Sequence, residues 1–214
     1  MPHPDDEAVF ISGLLYQLSQ DHIPTRVITC TRGEASTLRY GLSPRANLAK
    51  ARYKELTQAF SILGINDFQI LSLPDGGLGG KRRQIVALIK HQLHKFNPTC
   101  VITLEPDGIY GHPDHVALSH FVTQTVPANL RVLYATVRPN FTLPKAAHMA
   151  KITVINPALP DYQFNLSSHH IFIKIKTILT HHSQFKIALK KIPEIIFFIS
   201  NRIPTHEYFA NRFD

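Results

Sequence analysis

Two short words in this chain gather side chains that bind metals and move protons: His3-Pro4-Asp5-Asp6-Glu7 at the start and Gly111-His112-Pro113-Asp114-His115 in the middle. In the first, an imidazole and a carboxylate stand three residues apart where a helix opens. Positions i and i+3 share a helix face, so His3 and Asp6 can reach one ion while Asp5 points to another side of it. Pro4 suits such an entry, because its fixed φ fits a first turn and its missing N–H is not needed there. His115 of the second word offers a third ligand. Two histidines and one carboxylate form a set suited to Zn²⁺. Leaving the fourth position to water is what separates a catalytic zinc from a structural one.

Most of these residues also have an ordinary reading. A lone histidine among the 13 of this chain belongs to the surface or to a satisfied core, and only the pairing of the two words assigns His3 and His115 to a metal. Asp5 also suits the positive end of a helix dipole, and Pro113 with Asp114 also suits a helix opening. Arg52 and Glu55 read equally as an i, i+3 ion pair or as an anchor for substrate or for a catalytic carboxylate. Asp75-Gly76-Gly77 is first of all a turn, and His181-His182 also complements a helix end. The glycine pairs at 76–77 and 79–80 lack a following Lys-Ser/Thr, which argues against a nucleotide cradle.

The elements that must position these words alternate between helical and strand periodicity. That alternation predicts an α/β fold: a single Rossmann-like three-layer domain over residues 1–214 with a mostly parallel sheet. Helices are expected at Glu7–Gln20, from a Ser43-Pro44 cap to Leu63 before Gly64, at Arg82–Phe96, at His115–Thr125 and at Ser168–Thr180. Strands are expected at Arg26–Thr31, Phe68–Leu73, Cys100–Leu104, Arg131–Val137 and Ile152–Ile155. Prolines at 139, 144, 157 and 160 interrupt the pattern in the last third, which is expected to complete the domain and wall a cleft.

A chain of 214 residues that is 44% apolar supports one full hydrophobic core. Its formal charge of +8 would suit an anionic partner, but the basic residues are scattered apart from runs at Lys81, Arg82 and Arg83 and at Lys186, Lys190 and Lys191. No aromatic interleaving marks a nucleic-acid platform. Cys30 and Cys100 sit in apolar strand-like runs and read as small core residues of a protein in reducing, cytoplasmic surroundings. No apolar run approaches the ~20 residues of a bilayer span. The sequence is silent on oligomeric state.

At the two histidine words the sequence resembles the PIG-L/LmbE-like family of zinc-dependent N-deacetylases. Weaker family-like features follow in order: Thr31-Arg32-Gly33-Glu34, Arg52 with Glu55, Leu73-Pro74-Asp75, Tyr110, His181-His182-Ser183-Gln184 and Glu207-Tyr208-Phe209. The resemblance implies zinc on His3, Asp6 and His115, Asp5 as general base, and His112 as an electrostatic or acidic group. It further implies removal of an N-acetyl group from an N-acetylglucosamine-containing small molecule or glycoconjugate. Chemistry fits these roles, since an amide is a poor electrophile that needs a polarised carbonyl, an activated water and a proton acceptor. A protonated His112 or the Tyr110 hydroxyl would meet charge on the carbonyl oxygen, and Asp114 would orient a neighbouring histidine. The alternatives are another zinc amidohydrolase and an inactive carbohydrate-binding member of the family. Relatives carry a hydrophobic strand before the first word, and here that leading strand is missing. The expectation is a truncated or misassigned start, with an empty slot beside the strands at Arg26–Thr31 and Cys100–Leu104.

Overall fold

The computed structural model describes residues 1–138, 157–185 and 205–212. The expected strand Ile152–Ile155 and the basic run at Lys186, Lys190 and Lys191 lie outside these residues.

Along the chain, strands and helices alternate as their periodicity predicts. A π-helical turn Glu7–Ile11 runs into α1 (Ser12–Gln20), followed by β1 (Arg26–Thr31), α2 (Leu48–Leu63), β2 (Asp67–Leu73), a 3-10 turn Leu78–Lys81, α3 (Arg82–Phe96) and β3 (Cys100–Leu104). The kinked turn α4 (Gly108–Gly111), α5 (Pro113–Thr125), β4 (Arg131–Thr136), β5 (Tyr162–Asn165), α6 (Ser168–Thr180) and β6 (His206–Asn211) complete the described elements. The fold is therefore α/β. The described strands form a β1-β2 pair and a sheet of order β3-β4-β6-β5. β3 and β4 run parallel with Cys100 opposite Arg131, whereas β6 enters antiparallel to β4 with Ala135 opposite Phe209. Cys30 is buried, Cys100 is half-buried, and both are free thiols.

The chain divides into two compact units. One comprises residues 1–2, 73–163 and 208–214, and the other residues 3–72 and 164–207. In the second, α6 packs against α1 and α2. The apolar faces of these helices bury Leu15, Leu56, Phe60, Leu63, Ile173 and Ile178, and the π turn before α1 adds Ala8 and Ile11. In the first, α3 and α5 pack together and α5 lies on β3. Ile85, Leu104, Leu118, Phe121 and Tyr134 are buried there, with the Tyr134 hydroxyl 2.6 Å from Thr123 Oγ1.

Helix ends show where sequence signals hold and where they are displaced. α2 stops at Gly64 with φ +71, and Ile65 N–H donates back to Phe60 O at 2.9 Å, closing the C-terminal turn that only a left-handed residue permits. Its start differs from the Ser43-Pro44 expectation. Asn47 is the cap, its side chain accepting from Lys50 N–H at 3.0 Å, while Ser43 O accepts from Ala46 N–H in a separate turn. Two cap-like residues compete within one turn of chain, and the one whose carbonyl reaches the third helical N–H prevails. α5 begins at Pro113 rather than His115, with His112 as its cap. Among the described residues no helix is long and apolar enough to cross a membrane.

Candidate active site

The first histidine word is buried except at Asp5, which is half-buried. Asp6 Oδ2 accepts from His3 N–H at 2.8 Å and lies 3.5 Å from His3 Nδ1, so an imidazole nitrogen and a carboxylate stand side by side. His3 and Asp6 are both buried. Buried nitrogen and carboxylate-oxygen donors in this pairing fit a zinc ion. A π-helical turn, Glu7–Ile11, follows in place of the α-helix expected from Glu7, and at its entry Asp5 O accepts from both Ala8 and Val9 N–H at 3.1 Å.

Asp5 is the unusual residue. Its φ is +116, a conformation that costs a side-chain-bearing residue on the order of 1–3 kcal/mol and persists only where surroundings impose it. Two groups do so. Asp5 N–H donates to Glu7 Oε2 at 3.0 Å, and Asp5 Oδ2 lies 3.0 Å from Arg52 Nη2. Burial pushes the Asp5 carboxyl up to about 6. Arg52, His181 and His3 pull it down, and neighbouring Asp6 adds to the rise. A carboxylate with this affinity for a proton is matched to accepting one near neutral pH.

Arg52 and Glu55 are not a pair. Arg52, buried on α2, binds Asp5, donates to Gly33 O at 2.9 Å and also donates to Pro4 O. Gly33 explains its own identity: at φ +63, a Cβ there would lie 2.0 Å from Arg52 Nη1. Glu55 turns the other way, accepting from Ser183 N–H at 3.0 Å and Ser183 Oγ at 2.7 Å, with His182 Nδ1 at 3.1 Å. Gln184 then donates to Leu38 O at 3.2 Å and accepts from Ser36 Oγ at 2.7 Å, tying the turn after α6 to the loop after β1.

The second word sits where β3 gives way to α5 in the other unit. Glu105 is buried, and its carboxylate accepts from Asp107 N–H at 3.1 Å and from Ile109 N–H. Ile109 takes φ +67 and ψ −53, which kinks the chain before Tyr110. The Tyr110 ring centroid lies 5.2 Å from that of His115 and 5.9 Å from that of His112, and the two imidazoles are 4.8 Å apart. His112 Nδ1 accepts from Asp114 N–H at 3.2 Å. That nitrogen must then be unprotonated, so the proton of the neutral ring sits on Nε2 as a donor. Asp114 accepts from Gly76 N–H at 2.7 Å and Leu78 N–H at 2.9 Å, which fixes the Asp75-Gly76-Gly77 turn.

Of three buried acids, Glu7 and Glu207 lie in segments that the sequence singled out without giving them a role, and Glu105 had no signal. Glu7 bridges Asp5 to His181, whose Nε2 lies 2.6 Å from Glu7 Oε1. Glu105 holds the kink. Glu207 accepts from Gly13 and Leu14 N–H, each at 2.8 Å, and from the fully buried Lys174 ammonium at 2.7 Å. Glutamates read as surface residues unless a partner is visible. Glu7 and Glu207 find theirs on distant elements, whereas Glu105 is held by the backbone just after it.

Residues 1–126 match the family model described as PIG-L, GlcNAc-PI de-N-acetylase. The chain belongs to this family. It is 30% identical over 202 residues to a probable N-acetyl-alpha-D-glucosaminyl L-malate deacetylase 2 of Bacillus anthracis, covering 89% of this chain and 82% of that one. It is 34% identical over 154 residues to a 1D-myo-inositol 2-acetamido-2-deoxy-alpha-D-glucopyranoside deacetylase of Corynebacterium kroppenstedtii, covering 60% of this chain and only 39% of that relative. The fold matches an N,N'-diacetylchitobiose deacetylase from Pyrococcus horikoshii with a TM-score of 0.68 at 18% identity, over 98% of this chain and 80% of the other. These homologues are deacetylases of amino-sugar compounds.

Proposed function

We propose that this chain removes the N-acetyl group from an N-acetylglucosamine-containing small molecule, with His3, Asp6 and His115 holding one Zn²⁺. The observation that carries the reading is Asp5: a half-buried carboxylate next to His3 and Asp6 in the chain, fixed by Arg52 and held near pKa 6. A zinc ion held by His3, Asp6 and His115 would supply a polarised amide carbonyl and an acidified water. Asp5 accepts the proton of the attacking water and passes it to the departing amine nitrogen. His112 donates from Nε2 towards the amide oxygen as charge builds there, and the Tyr110 hydroxyl supplies a second donor. Asp114 acts indirectly: its carboxylate fixes the residue 76–78 turn, and its backbone N–H donates to His112 Nδ1.

The same reading takes residues 1–214 as one Rossmann-like three-layer domain, for which the strand and helix alternation is the support. A single cooperative unfolding transition is expected. Two transitions would count against it.

The test is acetate release from N-acetylglucosamine derivatives, including GlcNAc-malate, GlcNAc-inositol and N,N'-diacetylchitobiose. Measurements on zinc-loaded and chelator-treated protein should show zinc-dependent release from at least one. Release that survives complete chelation would remove the metal from the account. Zinc bound at one per chain without hydrolysis of any amino-sugar amide would point to a binding protein.

A further inference from the structure

We infer that Glu7 and His181 are a buried positioning pair that holds Asp5 in its strained, proton-accepting orientation. The inference rests on Asp5 being the base. Glu7 and His181 are both fully buried. One Glu7 oxygen takes the Asp5 N–H at 3.0 Å and the other meets His181 Nε2 at 2.6 Å, so one carboxylate ties the Asp5 backbone to the end of α6. Asp5 sits at φ +116, where a side-chain-bearing residue stays only if something grips its backbone. Arg52 grips the carboxylate end of Asp5, and Glu7 grips the amide end.

The anchor behind Glu7 is itself fixed from two directions. His181 N–H donates to Ile178 O at 3.1 Å, in the last turn of α6. Two residues on, Ser183 is held by both Glu55 oxygens, and its carbonyl accepts from Tyr40 N–H at 3.0 Å. Each end of the His181-His182-Ser183-Gln184 turn is thus pinned to the same unit that carries Asp5. A buried carboxylate–imidazole pair is a weak source of stability compared with apolar packing of the same volume. Its second hydrogen bond, to the amide of the one strained residue of the word, gives it a purpose that packing would not.

Three variants of the full chain separate positioning from bulk stability. His181→Ala removes the donor, His181→Gln keeps an N–H near the Nε2 position, and Asp5→Asn removes the base. His181→Ala should lower kcat by about 10–100-fold with KM changed less than about 2-fold and bound zinc unchanged, the usual size of an effect passed through one intermediary. His181→Gln should recover most of the loss. In an Asp5→Asn background, His181→Ala should cost no further activity, because both changes disable the same group. Independently of activity, hydrogen exchange at the Asp5 amide should quicken in His181→Ala and in Glu7→Ala while the Val9 amide stays protected. Equal losses from His181→Ala with and without Asp5 would overturn the inference, as would unchanged Asp5 exchange. If the wild-type chain hydrolyses no amino-sugar amide, the proposed activity fails and the exchange result alone decides this point.

Discussion

The two histidine words are spelled almost alike, His-Pro-Asp-Asp and His-Pro-Asp-His, yet they are built in opposite ways. In the second, the backbone is ordinary: His112 is a cap in extended conformation, Pro113 opens α5, and the Asp114 carboxylate satisfies two backbone N–H groups. In the first, the backbone is strained at Asp5 and widened into a π turn, and no side chain caps it. Its aspartates are thereby released from capping. Asp6 accepts from the His3 backbone N–H and lies against the His3 ring, and Asp5 lies against Arg52. Nearly the same letters give, in one place, a carboxylate that satisfies two backbone N–H groups and, in the other, carboxylates set against an imidazole and a guanidinium.

The sharpest way to break this contrast is to delete the corresponding acids. Asp6→Ala should abolish zinc binding and, with it, all acetate release, as read by metal content and activity; an active, zinc-replete variant would end the ligand assignment. Asp114→Ala should instead act through stability. It strands the Gly76 and Leu78 N–H groups, at about 1–3 kcal/mol each, a loss visible in the denaturant midpoint. If Asp114→Ala leaves stability intact and removes only activity, the second word is reactive in its own right.

A smaller effect sharpens the electrostatic side. In metal-free protein, an NMR titration of the Asp5 carboxyl should have its midpoint near about 6, and Arg52→Gln should move it upward, since Arg52 is the strongest influence lowering it. The sign for stability follows. A carboxyl whose folded pKa is raised binds its proton more tightly when folded. Its contribution is therefore present in full below the ordinary carboxylate range and is lost as pH rises through about 6. A midpoint near 4 would show that Asp5 is solvated and ordinary.

The smallest effect concerns α2. Asn47→Ala should cost about 1 kcal/mol as a lost cap, and Ser43→Ala should stay within about 0.5 kcal/mol. The reverse order would restore the cap that the Ser43-Pro44 pattern suggests.

How far the sequence was legible follows from the range of the forces involved. α3 and β3 were readable to the residue because local periodicity and the breaks at Asn97 and Pro98 determine them. The two histidine words were visible because each is a local run of residues. What stayed hidden depends on partners far along the chain. The π turn is not a propensity feature. Glu7 acquires its role only when His181 reaches it from 174 positions away, and Arg52 is separated from Asp5 by a helix and a strand. The Arg52–Glu55 spacing left an ion pair and an anchor for substrate or for a catalytic carboxylate equally open. Gly33 leaves the room through which Arg52 passes to Asp5, and nothing in the i, i+3 pattern announces that.

The central claim is that Asp5 moves protons and does not hold the metal. Its most direct test is zinc content and acetate release measured on the same preparation of Asp5→Asn, beside wild type. The account predicts zinc at wild-type stoichiometry and release lowered by about 10²–10⁴-fold, the range expected for losing a general base. Zinc and activity falling together would contradict it and make Asp5 a ligand.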